Sequence, residues 1–238
     1  MNKEQHNRTV LLLGEEKFEK LQKAHVLIVG LGGVGGYAAE QIARTGIGKL
    51  TLIDSDIVNE SNLNRQIIAL HSTLGKNKTS ILSNRLKDIN PEISIQSENV
   101  FINEENIETV LQKTKPDYVI DAIDTLMPKV NLIKTCLKLN IPLVSSMGAG
   151  GRLNPEKVHI SDISKTYNCG LARMLRKRLH KFNIRTGFKA VFSSEKVNRD
   201  VIIEEKSQNK KTNVGTVSYM PAIFGMFCAS VVIQDLID

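Results

Sequence analysis

The sequence predicts an α/β protein with a Rossmann-like, doubly wound architecture, in which a mostly parallel sheet is followed by a C-terminal extension carrying a basic helix. Three observations support this fold class. The apolar run Val26–Val29 leads into a glycine cluster and then into a helical segment. Strand-like apolar segments then alternate with amphipathic helical ones, as in parallel sheets covered on both faces. This alternation ends near residue 152, so we expect one domain, 1–238, with a core at 1–151 and an extension at 152–238.

The elements are bounded by residues that end regular structure. Gly14 interrupts a helical lead-in, Gly46 closes the helix after the glycine cluster and Pro91 stops a later helix, because glycine and proline disfavour a continuing helix. The predicted helices are 9–23, the segment from the glycine cluster to Thr45, Thr73–Asn90, Ile107–Lys113, Lys129–Leu139 and Gly170–Phe182. The predicted strands are Val26–Val29, Leu50–Ile53, Ile93–Val100, Asp117–Asp124, Leu143–Ser146, Val158–Ile163 and Ala190–Phe192.

The extension contains an amphipathic helix, a polar segment and an apolar end. Residues 196–213 are polar and rich in lysine, which predicts a loop. Residues 217–233 are apolar but contain Pro221 and Gly225, and they fall short of the roughly 20 residues of a membrane span. We therefore expect a buried helix there and no membrane span. The apolar side of the helix Gly170–Phe182 is predicted to consist of Leu171, Met174, Leu175, Leu179 and Phe182.

The glycine cluster has the pattern of a nucleotide-binding loop. Gly30, Gly32 and Gly35 form G-x-G-x-x-G, with Gly33 inside it, directly after the first strand. Glycine permits a tight turn and a close backbone approach, and the following helix offers unpaired N–H groups to a phosphate. Asp54 ends the second strand 19 residues after Gly35, where a carboxylate reaches a ribose hydroxyl. Alone, this pattern is most typical of the dinucleotide site of a dehydrogenase.

The polar residues after Asp54 favour a nucleoside triphosphate instead. Arg65 and Lys78 provide cations for phosphates, and Asp124, at the end of a later predicted strand, provides a hard ligand for Mg²⁺. A hydride-transfer enzyme has no need for this set, and a non-enzymatic nucleotide-sensing module would not require the three together. The candidate nucleotide-binding residues are Gly30, Gly32, Gly33, Gly35, Asp54, Asp56, Asn62, Arg65, Gln66, Lys78 and Asp124, and Asp124 is also the candidate Mg²⁺ ligand.

The net charge of +7 comes from one segment of the chain. Residues 163–194 contain eight Lys or Arg and no Asp or Glu, which leaves the rest of the chain nearly neutral. Concentrated positive charge predicts a polyanionic partner such as a nucleic acid. A solvated basic face without a partner is the alternative. The cations on the predicted helix, opposite its apolar side, are Arg173, Arg176, Lys177, Arg178 and Lys181.

Taken together, the motifs resemble the superfamily of ubiquitin-activating enzymes and their bacterial relatives, which adenylate the C-terminus of sulfur-carrier proteins. The resemblance runs from Arg8 to Gly151 through G-L-G-G-V-G-G, L-I-D-S-D, S-N-L-N-R-Q, G-K-N-K and D-A-I-D. It implies that a carboxylate attacks the α-phosphate of ATP to give an acyl-adenylate and pyrophosphate. It also implies that Asp54 holds the ribose, that Asn62 and Gln66 support the phosphate site and that Arg8 reaches across a homodimer to the partner's ATP. The implied catalytic residues are Arg65, Lys78, Asp124 and Arg8.

Within that superfamily, the extension resembles the branch of tRNA threonylcarbamoyladenosine dehydratases. Sulfur-carrier activators commonly hold zinc through two C-x-x-C pairs, which this sequence lacks, and it carries instead L-A-R-M-L-R-K-R-L, A-V-F-S-S-E and G-T-V-S-Y-M-P-A-I-F-G. The resemblance implies ATP-dependent ring closure of threonylcarbamoyladenosine next to the tRNA anticodon, with net loss of water. The core would then bind ATP and the extension tRNA. Adenylation of a ubiquitin-like sulfur carrier is the alternative.

Cysteine content and the first residues bear on redox setting and mechanism. Cys136 and Cys228 lie in apolar segments and are expected in the core. Cys169 precedes the basic helix, and a helix N-terminus stabilises a thiolate, so Cys169 is a candidate nucleophile. Ring closure on an activated carboxylate, however, needs no enzyme thiol.

We find no signal peptide and expect a reduced, cytoplasmic setting without zinc. A monovalent cation near the glycine-rich loops and a sulfur-relay protein partner are left open.

Overall fold

A seven-stranded sheet forms the centre of the computed structural model, which describes residues 3–204 and 212–238. Its strands are β1 His25–Val29, β2 Lys49–Ile53, β3 Ser94–Glu98, β4 Tyr118–Asp121, β5 Leu143–Ser146, β6 Val158–Asp162 and β7 Lys189–Ser193. Their spatial order is β3-β2-β1-β4-β5-β7-β6, and every neighbouring pair is parallel except β7 with β6. The predicted doubly wound, mostly parallel fold is therefore confirmed.

Helices cover both faces of this sheet. They are α1 Lys3–Leu13, α2 Glu15–Lys23, α3 Gly35–Thr45, α4 Lys78–Ile89, α5 Ile107–Thr114, α6 Leu126–Lys138, α7 Gly170–Leu179 and α8 Tyr219–Ile237. Helices α2, α3, α4 and α8 share one apolar core, which includes Ile42 and Phe224. Helices α5, α6 and α7 share the core on the opposite face, which includes Ile133 and Leu175. Because both faces are covered, β1 is buried along its whole length, as its apolar sequence requires.

The strand order creates a crevice between β1 and β4. The chain runs from β1 outward to β2 and β3, then returns to place β4 on the other side of β1. The loops that follow β1 and β4 therefore leave the sheet in opposite directions, and ligands of such folds bind where this happens. We call the side of the sheet at which the parallel strands end the carboxyl edge.

Helix α8 is the predicted buried helix at the end of the chain. By length and composition alone it could cross a membrane, but it packs against α3, α2 and the sheet. Phe224, Cys228 and Val232 are completely buried along it. It lies close to α3 at Gly225, where an added Cβ would lie 2.4 Å from the carbonyl oxygen of Val34. The expectation of a core helix is thus confirmed, and so is the expected burial of Cys228 and of Cys136 in α6.

Four predicted boundaries in the core were wrong by three residues or more. The helix predicted from residue 9 begins at Lys3, and the helix predicted from Lys129 begins at Leu126. The helix predicted from Thr73 begins only at Lys78, because residues 71–73 form a separate 3₁₀ turn and Gly75 has a φ of +76° that a helix does not allow. The strand predicted to end at Asp124 ends at Asp121. There the side chain accepts a hydrogen bond of 3.1 Å from the Ile123 N–H and turns the chain.

Two predictions for the extension also need correction. Helix α7 buries Ala172, Leu175 and Leu179, whereas Met174 and Phe182 are 51% and 48% exposed, so these two do not belong to its buried side. On the described flanks of the predicted loop 196–213, strands β8 Ile202–Glu204 and β9 Thr212–Val214 pair antiparallel. The remainder of that loop, 205–211, lies outside the described residues.

We predict that Gly225→Ala lowers the free energy of unfolding by about 1–3 kcal/mol, because the methyl group would force α8 away from the backbone of α3. Denaturant unfolding followed by circular dichroism measures this change. Gly170→Ala, at the start of α7, is the matched control, since no atom lies within 4 Å of the added Cβ. Equal midpoints for the two variants would contradict the close packing of α8 on α3.

Candidate functional site

Two glycines of the loop after β1 tolerate no side chain. Gly30 has a φ of +89°, and an added Cβ would lie 2.8 Å from the carbonyl oxygen of Ala122 in the loop after β4. A Cβ at Gly35 would lie 1.8 Å from the carbonyl oxygen of Gly30. The loop therefore folds tightly on itself and against the β4 loop, and α3 begins directly after it at Gly35.

The segment S-N-L-N-R-Q packs against this loop. A Cβ at Gly33 would lie 3.4 Å from Cγ of Arg65, and one at Gly32 would lie 3.7 Å from Nε2 of Gln66. Gln66 is buried, and within the described part of the chain its Oε1 atom has no hydrogen-bond partner. An unpaired buried acceptor next to a nucleotide-type loop is suited to a ligand donor, because leaving such a group unpaired costs free energy. Both residues lie where the sequence predicted a phosphate site.

Two members of the predicted set, Arg65 and Asn62, stabilise the conformation of this segment. Arg65 Nη1 donates hydrogen bonds of 2.7 Å to the Ser61 carbonyl and 2.8 Å to Oδ1 of Asn64. Asn62 is buried, and its Oδ1 accepts a hydrogen bond of 3.1 Å from the backbone N–H of Asn59. Asn62 thus caps the short 3₁₀ turn that presents Arg65.

A carboxylate–carboxylate–lysine chain follows β2. The N–H of Leu31, in the glycine-rich loop, donates to Oδ2 of Asp54 at 2.6 Å, and the N–H of Asp56 donates to Oδ1 of Asp54 at 2.8 Å. Lys78, the first residue of α4, extends a buried side chain whose Nζ lies 2.7 Å from Oδ2 of Asp56. Each Asp54 oxygen keeps a further lone pair, so the carboxylate can still accept from a ribose.

The electrostatics of Asp54 follow from its position between the loop and α4. Burial raises the pKa of this carboxyl, and the positive charge of Lys78 and the two backbone N–H donors oppose the increase. Asp56 raises the pKa further through like-charge repulsion. Lys78 therefore offsets part of the effect of burial on the Asp54 carboxyl while it forms an ion pair with Asp56.

A fully buried ion pair supports the loop after β4, and sequence reasoning missed it. Lys129 Nζ lies 2.6 Å from Oδ2 of Asp121, 3.2 Å from the hydroxyl of Ser145 and 3.0 Å from the carbonyl of Ser146. Both charged side chains are 0% exposed. In D-A-I-D the first Asp therefore faces inward, while the exposed Asp124 lies in the loop beyond it. The feature of the sequence that could have indicated this buried ion pair is Lys129 itself, a lysine on the first turn of an apolar helix.

One cation of the basic helix α7 contacts the rest of the fold, and the others are exposed to solvent. Arg176 is half-buried and donates to the carbonyl and the hydroxyl of Thr166. The other predicted nucleic-acid-binding residues are exposed, namely Arg173, Lys177, Arg178 and Lys181. Lys177, Arg178 and Lys181 line a cavity of about 290 Å³, which is also lined by Leu126 of α6.

Arg152 is a second buried cation that the sequence did not reveal. It follows the glycine-rich turn after β5, is 2% exposed and donates a 2.9 Å hydrogen bond to the carbonyl of Asn168. Burial lowers its pKa, and interaction with the Cys169 side chain at the start of α7 opposes that effect. Cys169 is itself buried, so the candidate thiol lies under the basic helix beside a guanidinium.

The other two thiols are poor nucleophiles. Burial raises the pKa of Cys228 to about 12, and burial together with the Asp121 charge raises the pKa of Cys136 further still. Both thiols are therefore protonated at neutral pH. No group of three or more His, Cys, Asp or Glu side chains that could hold a metal ion occurs among residues 3–204 and 212–238.

This fold and edge define a Rossmann-like nucleotide-binding protein of the ThiF family: the family model matches residues 6–238, and the chain belongs to that family. It is similar to tRNA threonylcarbamoyladenosine dehydratase of Bacillus subtilis (strain 168), with 38% identity over 241 residues covering 98% of this chain and 94% of the relative. It is also similar to the solved structure of the E. coli tRNA N6-threonylcarbamoyladenosine dehydratase in complex with ATP, with a TM-score of 0.90, 35% identity and coverage of 98% and 94%.

The likeness to sulfur-carrier activators is shorter. The sulfur carrier protein ThiS adenylyltransferase of E. coli (strain K12) is 33% identical over 152 residues, which cover 62% of this chain and 60% of that protein. The similarity to the dehydratases covers 98% of the chain and so includes the extension, and the predicted resemblance to the dehydratase branch is confirmed.

We predict that Lys129→Met lowers the free energy of unfolding by about 3–5 kcal/mol, because it leaves Asp121 charged and buried without its partner. The double variant Asp121→Asn/Lys129→Met is expected to lose less than the single variant, since no uncompensated charge remains. Urea unfolding of the two proteins measures both values. A double variant less stable than Lys129→Met would contradict the view that the lysine serves mainly to compensate Asp121.

Proposed function

We propose that this protein is an ATP-dependent tRNA threonylcarbamoyladenosine dehydratase. In this reaction the threonyl carboxylate attacks the α-phosphate of ATP, the bond to the β-phosphate breaks and pyrophosphate leaves. An internal nucleophile of the substrate then attacks the adenylated carbonyl and releases AMP, so that the ring closes with net loss of water. One observation supports the proposal above all: four features lie together at the carboxyl edge of the sheet. They are the glycine-rich loop, the Asp54–Asp56–Lys78 chain, Arg65 and the loop that contains Asp124.

The residues of this edge have separate roles in the proposal. Asp54 accepts the ribose hydroxyls, and the N-terminus of α3 with its glycines receives the phosphates. Lys78 and Arg65 stabilise the negative charge that develops when pyrophosphate leaves, because fixed cations in a partly dry site act strongly on a charged transition state. Gln66 offers its unpaired Oε1 to a donor of the nucleotide. Catalysis is then chiefly positioning and charge stabilisation, without an enzyme thiol.

Asp124 fits a Mg²⁺ ion bound together with the nucleotide. Its carboxylate is exposed at the carboxyl edge, and Mg²⁺ is commonly held by one or two carboxylates plus substrate phosphates and water. The described residues offer no larger cluster of acidic ligands, so the phosphates would complete the coordination. The ion would supply neutralisation of phosphate charge.

The basic helix supplies the proposed contact with tRNA. Arg173, Lys177, Arg178 and Lys181 are exposed on a segment without acidic residues, as phosphate contacts require. Arg176 is proposed to act indirectly, because its guanidinium fixes α7 to the turn at Thr166.

The proposal includes a homodimer in the cytoplasm. Arg8 is exposed on α1, where it is available to reach the partner's nucleotide. Leu11 and Leu12 on the same helix are 78% and 83% exposed, and a dimer would remove this apolar surface from water.

The direct test is incubation of the protein with ATP, Mg²⁺ and tRNA that carries threonylcarbamoyladenosine, followed by mass spectrometry of the nucleosides. We expect the modified nucleoside to lose one water while AMP and pyrophosphate form. ATP consumption only with a sulfur-carrier protein would overturn the proposal.

We predict that Lys78→Met lowers the rate of ATP–pyrophosphate exchange in the presence of tRNA by about 100-fold or more, because it removes a buried cation from the phosphate site. Lys76→Met is the matched control, since Lys76 is an exposed lysine two residues earlier. Circular dichroism checks that both variants fold. Similar exchange rates for the two folded variants would rule out the assigned role of Lys78.

We predict that Lys177→Glu weakens tRNA binding and lowers the slope of log affinity against log salt concentration by about 1–2, as expected when a phosphate contact is reversed. Filter binding at several salt concentrations measures both quantities. Lys87→Glu makes the same change of charge on α4, across the sheet from α7. If Lys87→Glu and Lys177→Glu had the same effect, binding would depend on total charge and not on the basic helix.

A further inference from the structure

The cavity between α6 and α7 combines an apolar lining with a cationic rim. Its lining residues are Leu126, Met174, Lys177, Arg178 and Lys181. The last four follow the spacing i, i+3, i+4 and i+7, so they lie along one face of the helix and its final turn. None of the five belongs to the predicted nucleotide-binding set. The cavity is therefore a separate site within the basic surface.

Met174 adds an apolar side chain to the cationic surface of α7. Its side chain is 51% exposed although it is surrounded by cations, and a site for phosphates alone gains nothing from an exposed thioether. An unpaired nucleotide presents both an apolar base and a charged phosphate, and proteins that read single-stranded RNA hold the two separately. A duplex hides its base faces and matches only the cationic part.

The size of the cavity suits one base. Its volume of about 290 Å³ lies at the lower limit of the roughly 300–1,000 Å³ typical of small-molecule sites. Leu126 and Met174 can contact the face of a base, and the three cations of the rim reach its phosphate.

The cavity also lies beside the proposed reaction site. Leu126 begins α6 two residues after Asp124. Asp124 lies in the loop after β4, whose first residue, Ala122, lies against Gly30 of the glycine-rich loop. The base of α7 is fixed to the turn after β5 through Arg152 and the carbonyl of Asn168. A nucleotide in the cavity would therefore be a near neighbour of the nucleoside that reacts.

We propose that this cavity binds one unpaired nucleotide of the RNA substrate next to the modified adenosine. The base lies on Leu126 and Met174, and Lys177, Arg178 and Lys181 hold its phosphate. This inference rests on the proposed function, since it assigns the neighbour of the nucleoside that is dehydrated.

The test is a set of anticodon stem-loops that carry threonylcarbamoyladenosine and an abasic nucleotide at each unpaired position in turn. KM and kcat of ATP-dependent dehydration are measured with the wild-type protein and with Met174→Ser. We expect one abasic position to raise the KM of the wild-type protein about 5-fold or more, with kcat unchanged. In Met174→Ser the same abasic RNA should bind no worse than the intact RNA, because the contact with the base is already lost. Met127→Ser, at a methionine 46% exposed in α6 and outside the cavity lining, should respond like the wild-type protein.

Two failures are distinguishable. If intact RNA is dehydrated but no abasic position affects the wild-type protein more than Met174→Ser, the surface binds phosphates only and the cavity inference is wrong. If the wild-type protein does not dehydrate intact RNA at all, the proposed function fails, and the assignment of the cavity fails with it.

Discussion

The buried ion pair between Lys129 and Asp121 fixes the carboxyl edge on which the site depends. It joins the end of β4, the first turns of α6 and, through Ser145 and Ser146, the end of β5. Two charges removed from water are tolerated only when their attraction and hydrogen bonds offset the lost hydration, and Lys129 Nζ has three partners. Any displacement of β4, β5 or α6 would break this set. The loops after both strands therefore start from fixed points.

The C-terminal extension packs against the loops of the candidate nucleotide site. Gly33 packs against Pro221 at the start of α8, and an added Cβ would lie 2.9 Å from that ring. The Asn64 side chain donates to the carbonyl of Thr216 at 3.0 Å, next to Arg65. The N–H of Gly151 donates to the carbonyl of Gly215 at 2.8 Å. Residues from the end of the chain thus hold the loops on which adenylation is proposed to occur.

Much of the fold and the glycine-rich loop could be predicted from the sequence, because there the identity of a residue is set by its own backbone conformation and near neighbours. Gly30 must be glycine because of its φ and its contact with the β4 loop, so the sequence signal and the structural need coincide. Contacts between distant elements were less visible. Which aspartate of D-A-I-D faces inward depends on Lys129, and the exposure of Met174 depends on how α7 docks on the sheet. The buried state of Arg152 likewise depends on a turn 16 residues away in the chain.

The cations on α7 fall into two groups with different surroundings. Arg176 donates a hydrogen bond to the carbonyl of Thr166 and so fixes the orientation of the helix. Lys177, Arg178 and Lys181 instead line the cavity near the Asp124 loop. In the proposed reaction, tRNA phosphates bound there are separate from the reacting carboxylate but connected to it through the RNA. Binding energy from such remote contacts can be used to place the carboxylate at the α-phosphate, which lowers the entropic part of the barrier. In the proposed reaction, the phosphate contacts of the basic helix therefore contribute to the rate of adenylation, whereas the base contact in the cavity contributes to the affinity for tRNA.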